Sequence, residues 1–239
     1  MKDCTVIIPI YKENPSVVVR LYDDLTKRGY PVIVVNDGDT VELPERVREI
    51  SYYPNMGYGF AIKKATKEVT TSLVCTMDGD GQHKPEDVDK LLQVYNMVTD
   101  CKMVIGTRWG LKESFSRKIG RKFLNFLATL FSSHYLIDMN SGLRIFDRDL
   151  AIAYGPILCD TFSYTTSLTM SYVTDNYKFA WLPIDVLPRE YGKSTVHLVR
   201  DGLITLWYII WIGSALRTRT IRRIIQHLTN WFLGRNGKT

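Results

Sequence analysis

The 239-residue sequence has no C-x-x-C pair, no internal repeat, no low-complexity linker and no uncharged run long enough to cross a membrane comfortably. Its four cysteines, Cys4, Cys75, Cys101 and Cys159, are widely spaced, so buried free thiols in a reducing compartment are expected. The opening residues hold one early lysine and an apolar run ended by Pro9, too short for a signal segment; the catalytic part is therefore expected in the cytosol. Acidic residues are missing beside Arg217, Arg219, Arg222, Arg223, Arg235 and Lys238, and the net charge is +6. That asymmetry suits an anionic partner, either a membrane or a nucleic acid. The chain also lacks the interleaved basic and aromatic pattern of a nucleic-acid reader, so no nucleic acid is expected.

What is present is strands alternating with helices. "CTVIIPI", "YPVIVVNDG", "SLVCTM" and "KMVIG" read as four buried strands. Between them, Asn14 and Pro15 open a helix with Val18, Leu21, Tyr22 and Leu25 at helical spacing, "NMGYGFAIKKATKEV" opens on glycine, and a helix from about Pro85 carries Val88, Leu91, Leu92, Tyr95 and Val98 on one face. Continuous apolar strands separated by helices predict an α/β fold with a mostly parallel sheet covered on both faces. Ligands in such sheets bind beyond the carboxyl ends of the strands, where Asp37, Asp78 and Asp80 fall.

The stretch "MDGDGQH" places two carboxylates one residue apart at a strand end, with Gln82 two residues on. Hard oxygen ligands on one loop suit Mg²⁺ or Mn²⁺ holding a diphosphate, with Asp78, Asp80 and Gln82 as the metal candidates. By itself an Asp-x-Asp is more often a solvated turn or a helix cap.

The blocks "VIIPIYKEN", "VVNDGDT", "NMGYGFAIKKA", "MDGDGQHKPED", "VIGTRW", "DMNSGLRIFDRD" and "LPIDVLPREYGKS" occur in the order seen in family 2 glycosyltransferases of the GT-A (Rossmann-like) fold. More narrowly the chain resembles the dolichyl- and polyprenyl-phosphate hexose synthases, over about residues 4 to 195. The resemblance implies a nucleotide-sugar donor lined by Pro9, Tyr11, Glu13, Asp37, Gly57 and Asp78, with Asp80 and Gln82 at the metal. Gly57 and Gly59 would let the following helix pass close to the donor, since glycine has no Cβ. Arg117 and Arg121, four residues apart on one helix face, would hold an acceptor phosphate, and Arg189 and Lys193 would contact the leaving diphosphate. Arg108 and Arg144 match family positions, pairing with a structural carboxylate being the other reading. The pattern is broken at Lys12, Asn36, Gly79, Gly81, Leu143 and Thr195, none of which removes a carboxylate expected at the metal.

A phosphate monoester has its second pKa near about 6, so the acceptor would be largely a dianion and need no general base. In-line attack would invert the anomeric centre. A related transferase with a hydroxyl acceptor would need a carboxylate base, for which Asp138, Asp185 and Glu190 are the nearby candidates. A non-catalytic nucleotide-binding module is the third reading, opposed by the intact Asp78, Asp80 and Gln82.

The catalytic domain is expected over residues 1–195 and membrane-associated amphipathic helices over 196–239. Residues 202–216 are uncharged but as a helix would reach only about 22 Å against about 30 Å of hydrocarbon. Trp207, Tyr208 and Trp211 suit a headgroup interface, and Ile221, Ile224, Ile225, Leu228 and Phe232 form one face of the next segment, so a basic helix lying on the cytoplasmic membrane surface is preferred. The alternative is ordinary packing on the domain or on another subunit, which leaves a homo-oligomer open. Ile119, Phe123, Phe126, Leu127 and Leu130 share the stripe of the Arg117 helix and face either core or lipid.

Overall fold

The computed structural model of the protein describes residues 2–109, 115–132, 134–188 and 199–216. In chain order the elements are β1 (Cys4–Ile10), α1 (Pro15–Lys27), β2 (Val32–Asp37), β3 (Glu49–Tyr52), α2 (Tyr58–Glu68), β4 (Leu73–Thr76), α3 (Pro85–Met97), β5 (Cys101–Trp109), α4 (Phe115–Ser132), β6 (Arg144–Asp147), α5 (Arg148–Tyr154), α6 (Tyr164–Thr174) and β7 (Lys178–Asp185). A last described helix, α7, spans Val199–Leu216.

Seven strands form one sheet in the order β3-β2-β1-β4-β6-β5-β7. All pairings are parallel except those of β6, which runs antiparallel between β4 and β5. The four strands legible in the sequence are β1, β2, β4 and β5; β3, β6 and β7 complete the sheet.

The period of two in the strands divides the core. Val6, Ile8 and Ile10 of β1 and Val32 and Val34 of β2 face α1 and α3, packing with Val18, Leu21, Leu25, Val88 and Leu91. Ile7, Ile33 and Val35 point the other way, onto Ala61, Ile62 and Ala65 of α2 and Leu168 and Tyr172 of α6. Both faces are therefore dry, as the unbroken apolar runs require. Helix α1 starts as its residues dictate: the Asn14 side chain accepts the Ser16 N–H at 2.9 Å and Pro15 occupies the first turn. All four cysteines are buried and free.

Helix α6 is buried on every side despite the sequence YTTSLTMSYVT. Its hydroxyls return to its own backbone, Ser167 to Tyr164 O at 2.9 Å, Thr169 to Thr165 O at 2.8 Å and Ser171 to Ser167 O at 2.9 Å. That local satisfaction is what lets a Ser/Thr-rich helix sit in a core.

Helix α7 is, by length and composition, long and apolar enough to cross a membrane, three residues longer at its start than the uncharged run. One of its faces is taken by the domain, however: Ile209, Ile212 and Leu216 pack with Ala128, Leu136, Met139, Met170 and Val173, and Ser163 Oγ lies 2.8 Å from Thr205 Oγ1. The segment from residue 217 on, where the second interfacial face was expected, lies outside the described residues.

Candidate active site

The carboxyl ends of β1, β2 and β4 lie side by side, and their loops meet above the sheet. The loop after β4 crosses the end of β1 so closely that a Cβ on Gly79 would stand 2.9 Å from Ile10 Cγ2. This close approach explains the glycine that departs from the family pattern.

Asp78 is caged. Its Oδ1 accepts the Tyr58 hydroxyl at 3.2 Å, its Oδ2 lies 3.7 Å from His83 Nε2, and a Cβ on Gly142 would come within 2.4 Å of both oxygens. Burial works against its ionisation, but hydrogen bonding and charge from His83, the charge of Arg108 and the Tyr58 bond outweigh it and hold its pKa below the usual carboxylate value. Burial and the Asp78 charge push the Tyr58 phenol well up, so Tyr58 stays a donor. Three blocks distant in sequence thus converge on one carboxylate. Tyr58, His83 and Gly142 were absent from the sequence-derived site, although each sits inside a quoted block.

Asp80 is buried, and its Oδ1 accepts the Gln82 N–H at 3.0 Å across Gly81, which has φ +77°. Gln82 is tied to the segment after β7: its Nε2 donates to Leu187 O at 3.2 Å and its own carbonyl accepts the Leu187 N–H at 3.0 Å. The side-chain oxygen of Gln82 is the atom that could ligate a cation. Among the described residues no group of three or more His, Cys, Asp or Glu side chains gathers for a metal. A Mg²⁺-type ion needs only one or two carboxylates when phosphate oxygens and water complete its shell, so Asp78 and Asp80 fit an ion held jointly with a diphosphate.

Asp37 does more than line a nucleotide pocket. Its carboxylate accepts Met56 N–H at 2.7 Å, Gly57 N–H at 2.8 Å and Asn55 Nδ2 at 3.0 Å, so it pins the loop that opens α2. Asn36, where the family has Asp, donates to Glu49 Oε1 at 3.0 Å; a carboxylate there would repel Glu49. Pro9 is buried in β1 and paired with Val35, while Tyr11 and Glu13 are half-buried in the loop that follows.

Gly57 and Gly59 are closed in by the chain's own backbone. A Cβ on Gly57, at φ +106°, would meet Asp160 O at 2.6 Å, and one on Gly59 would meet Cys159 O at 2.1 Å. Lys63 holds the same segment through Asp160 at 2.6 Å and Leu158 O at 3.0 Å.

The two family arginines differ in their partners. Arg108 forks onto Asp138, with Nε to Oδ2 at 2.9 Å and Nη2 to Oδ1 at 2.8 Å. Burial disfavours that carboxylate, but the Arg108 bonds and charge prevail and hold the Asp138 pKa below the usual value. Arg144 is fully buried, and its nearest acceptors are all neutral: the carbonyls of Met139, Ser141 and Thr165 and the Thr169 hydroxyl. Burial brings its pKa down to about 10, opposed by Tyr58, Tyr164, Asp138 and Asp78. It remains a cation behind the site, balanced at a distance by the two aspartates.

Arg121 is half-buried on α4, and its charge acts on Asp138. Arg117 lies on the same helix, but its side chain, with Arg189, Glu190 and Lys193, lies outside the described residues.

The family model for glycosyl transferase family 2 matches residues 5–154, from β1 through α5. The chain belongs to glycosyl transferase family 2. As a member of that family it is a glycosyltransferase. An uncharacterized protein of Methanocaldococcus jannaschii is 27% identical over 220 residues, covering 86% of this chain and 90% of that one. The undecaprenyl-phosphate 4-deoxy-4-formamido-L-arabinose transferase of Pectobacterium atrosepticum is 27% identical over 236 residues; the match covers 87% of this chain and just under two thirds, 66%, of the relative's length. Among solved structures, glucosyl-3-phosphoglycerate synthase from Mycobacterium tuberculosis, crystallised with Mn²⁺, UDP and phosphoglyceric acid, superposes with a TM-score of 0.70 at 15% identity, covering 88% of this chain and 78% of that one. At that identity the likeness concerns the fold, which is the GT-A fold.

Proposed function

We propose that this family 2 enzyme transfers a hexose, with inversion, from a nucleotide sugar (GDP-mannose or a UDP-sugar) to a polyprenyl or dolichyl phosphate at the cytosolic membrane face. The observation that carries the choice of acceptor is the Arg108–Asp138 pair. A hydroxyl acceptor needs a base with a pKa near the operating pH, and the buried candidate for that role is locked to a guanidinium that depresses its pKa. A phosphate acceptor needs no base. The name of the Pectobacterium relative, an undecaprenyl-phosphate sugar transferase, supports the same acceptor class.

In this reading Asp80, with Asp78 beside it, would hold Mg²⁺ or Mn²⁺, and the ion when bound would offset the charge of the departing diphosphate. Asp37 shapes the nucleotide side of the pocket by fixing residues 55–57, and Arg144 supplies a positive field behind Asp78. Arg117 and Arg121 would hold the acceptor phosphate, and Arg189 and Lys193 would approach the diphosphate. Residues 1–195 then form the catalytic domain.

A panel of radiolabelled nucleotide sugars, each assayed with and without polyprenyl phosphate, tests this: label should enter the lipid only when the phosphate is present. Arg121→Gln should lower kcat/KM for polyprenyl phosphate about tenfold to hundredfold, since hydrogen bonds to charged groups contribute roughly 1.5–3 kcal/mol, while calorimetric donor affinity stays constant. Unaltered acceptor kinetics would favour the hydroxyl-acceptor alternative.

Tyr58→Phe removes one donor from Asp78 and leaves the ring against Phe162. At the low end of that same range, donor affinity should fall about tenfold with thermal stability nearly unchanged. Calorimetric titration of the nucleotide sugar reads this directly, and an unchanged affinity would show that Asp78 keeps its position without Tyr58.

A further inference from the structure

Helix α2 begins without a cap of its own. Gly57 stands at its N-cap position and offers no side chain, so N–H groups of the first turn must find acceptors elsewhere. The Phe60 N–H donates to Asp160 O at 2.9 Å, in the segment that leads into α6. Three residues on, Lys63 donates to Leu158 O at 3.0 Å and pairs with Asp160 Oδ1 at 2.6 Å. The Lys63 side chain is only 19% exposed, so this ion pair is less screened than one at the open surface. Residues 158–163 thus act as an external cap and a clamp on the start of α2.

The same segment is held from behind by α7. Ser163 and Thr205 are both buried; Thr205 donates its hydroxyl to Asp201 O at 2.7 Å, so its oxygen is left to accept the Ser163 hydroxyl at 2.8 Å. The Tyr208 hydroxyl meets the Cys159 thiol, and burial together with that contact pushes the phenol up to about 12, which keeps it a donor. The Cys159 N–H is fixed in turn by Ser167 Oγ at 3.1 Å. Ahead of the clamp lie residues 55–57, which supply two N–H groups and an amide to Asp37. One unbroken series of hydrogen bonds and close backbone contacts therefore runs from α7 to the Asp37 side of the pocket.

We propose that Lys63 and Asp160 are positioning residues for the nucleotide sugar, backed through residues 158–163 by Thr205 and Tyr208 of α7. Neither side chain has to touch the donor. They fix the first turn of α2, and with it the loop that Asp37 fastens, so that the pocket wall is in place before the donor arrives. The inference rests on the reading above that Asp37 shapes the nucleotide side of the pocket. It adds that substitutions on α7, remote from the pocket, are felt in donor affinity.

The test is calorimetric titration of the full chain with UDP-glucose and with GDP-mannose, below the melting temperature of every variant. Lys63→Met keeps the aliphatic stem and removes the ammonium. It should weaken whichever nucleotide sugar the wild type binds by about threefold to thirtyfold, the span expected of residues coupled to a site without touching its ligand. Lys63→Arg should restore most of that affinity. Asp160→Asn, at an exposed position and with its carbonyl kept, should weaken binding less, and the double variant Lys63→Met/Asp160→Asn should bind no more weakly than Lys63→Met alone, because both changes break one pair. Thr205→Val should lower donor affinity in the same direction, and amide hydrogen exchange over residues 55–60 should quicken in it and in Lys63→Met. A lowered melting temperature with donor affinity unchanged would make the clamp purely structural and overturn the proposal, as would fully additive losses from Lys63→Met and Asp160→Asn. A wild type that binds neither nucleotide sugar would remove the donor reading itself, whereas wild-type binding untouched by the variants would remove this proposal alone.

Discussion

Asp80→Ala is expected to lower kcat/KM for sugar transfer by about 10³-fold or more, equivalent to about 4 kcal/mol of lost transition-state stabilisation. Asp80 is a buried carboxylate at the end of β4, beside Asp78, where the diphosphate is proposed to sit. In the proposed reading a cation between this pair of anions and the phosphates would offset the repulsion of like charges so placed. Excess chelator should reproduce the loss in the wild type, and added Mn²⁺ should reverse it there but not in the variant. The Gln82 N–H loses its acceptor, so Asp80→Asn, which keeps an oxygen for that bond, separates folding from charge. Turnover undiminished by chelation would remove the metal from the proposed mechanism.

Gly142→Ala should be nearly as damaging, although it adds one methyl group. That group would stand 2.4 Å from each Asp78 oxygen and 2.6 Å from its Cγ. The loop cannot easily withdraw, since Thr76 Oγ1 donates to Gly142 O at 2.6 Å and the Gly106 N–H to Leu143 O at 2.9 Å. Asp78 must rotate instead, giving up Tyr58 and His83. Loss of a charged hydrogen bond together with overpacking comes to about 3–4 kcal/mol, or roughly 10²–10³-fold in kcat/KM. Thermal melting, calorimetric donor affinity and activity measured together should show function falling further than stability. Activity within twofold of wild type would mean that Asp78 is free to move without consequence.

Asp37 and Asp138 show how far residue type and position carry a reading. Both are aspartates in family blocks, and the sequence places both near the site. Asp37 proves to be the acceptor for two backbone N–H groups and an amide, and Asp138 the partner of Arg108. Neither engagement is legible locally, because the donors lie 18 to 20 and 30 residues away.

The sequence alone determined the core strands β1, β2, β4 and β5, the capped start of α1 and the display of carboxylates at strand ends. These follow from short-range causes: unbroken apolar runs must be covered on both faces, and Asn-Pro or Gly-Asp segments cannot continue a strand. Tertiary structure decided the rest. The four-residue β6 turns antiparallel between β4 and β5, and α6 shows no apolar stripe because it is buried all round with its hydroxyls bonded to its own turns. In α4 the same helical spacing serves Ala128, which is buried, and Phe126 and Leu130, which are exposed. Periodicity reports which residues share a face; only the packing of α6 and α7 against α4 decides which face meets protein and which meets the surroundings.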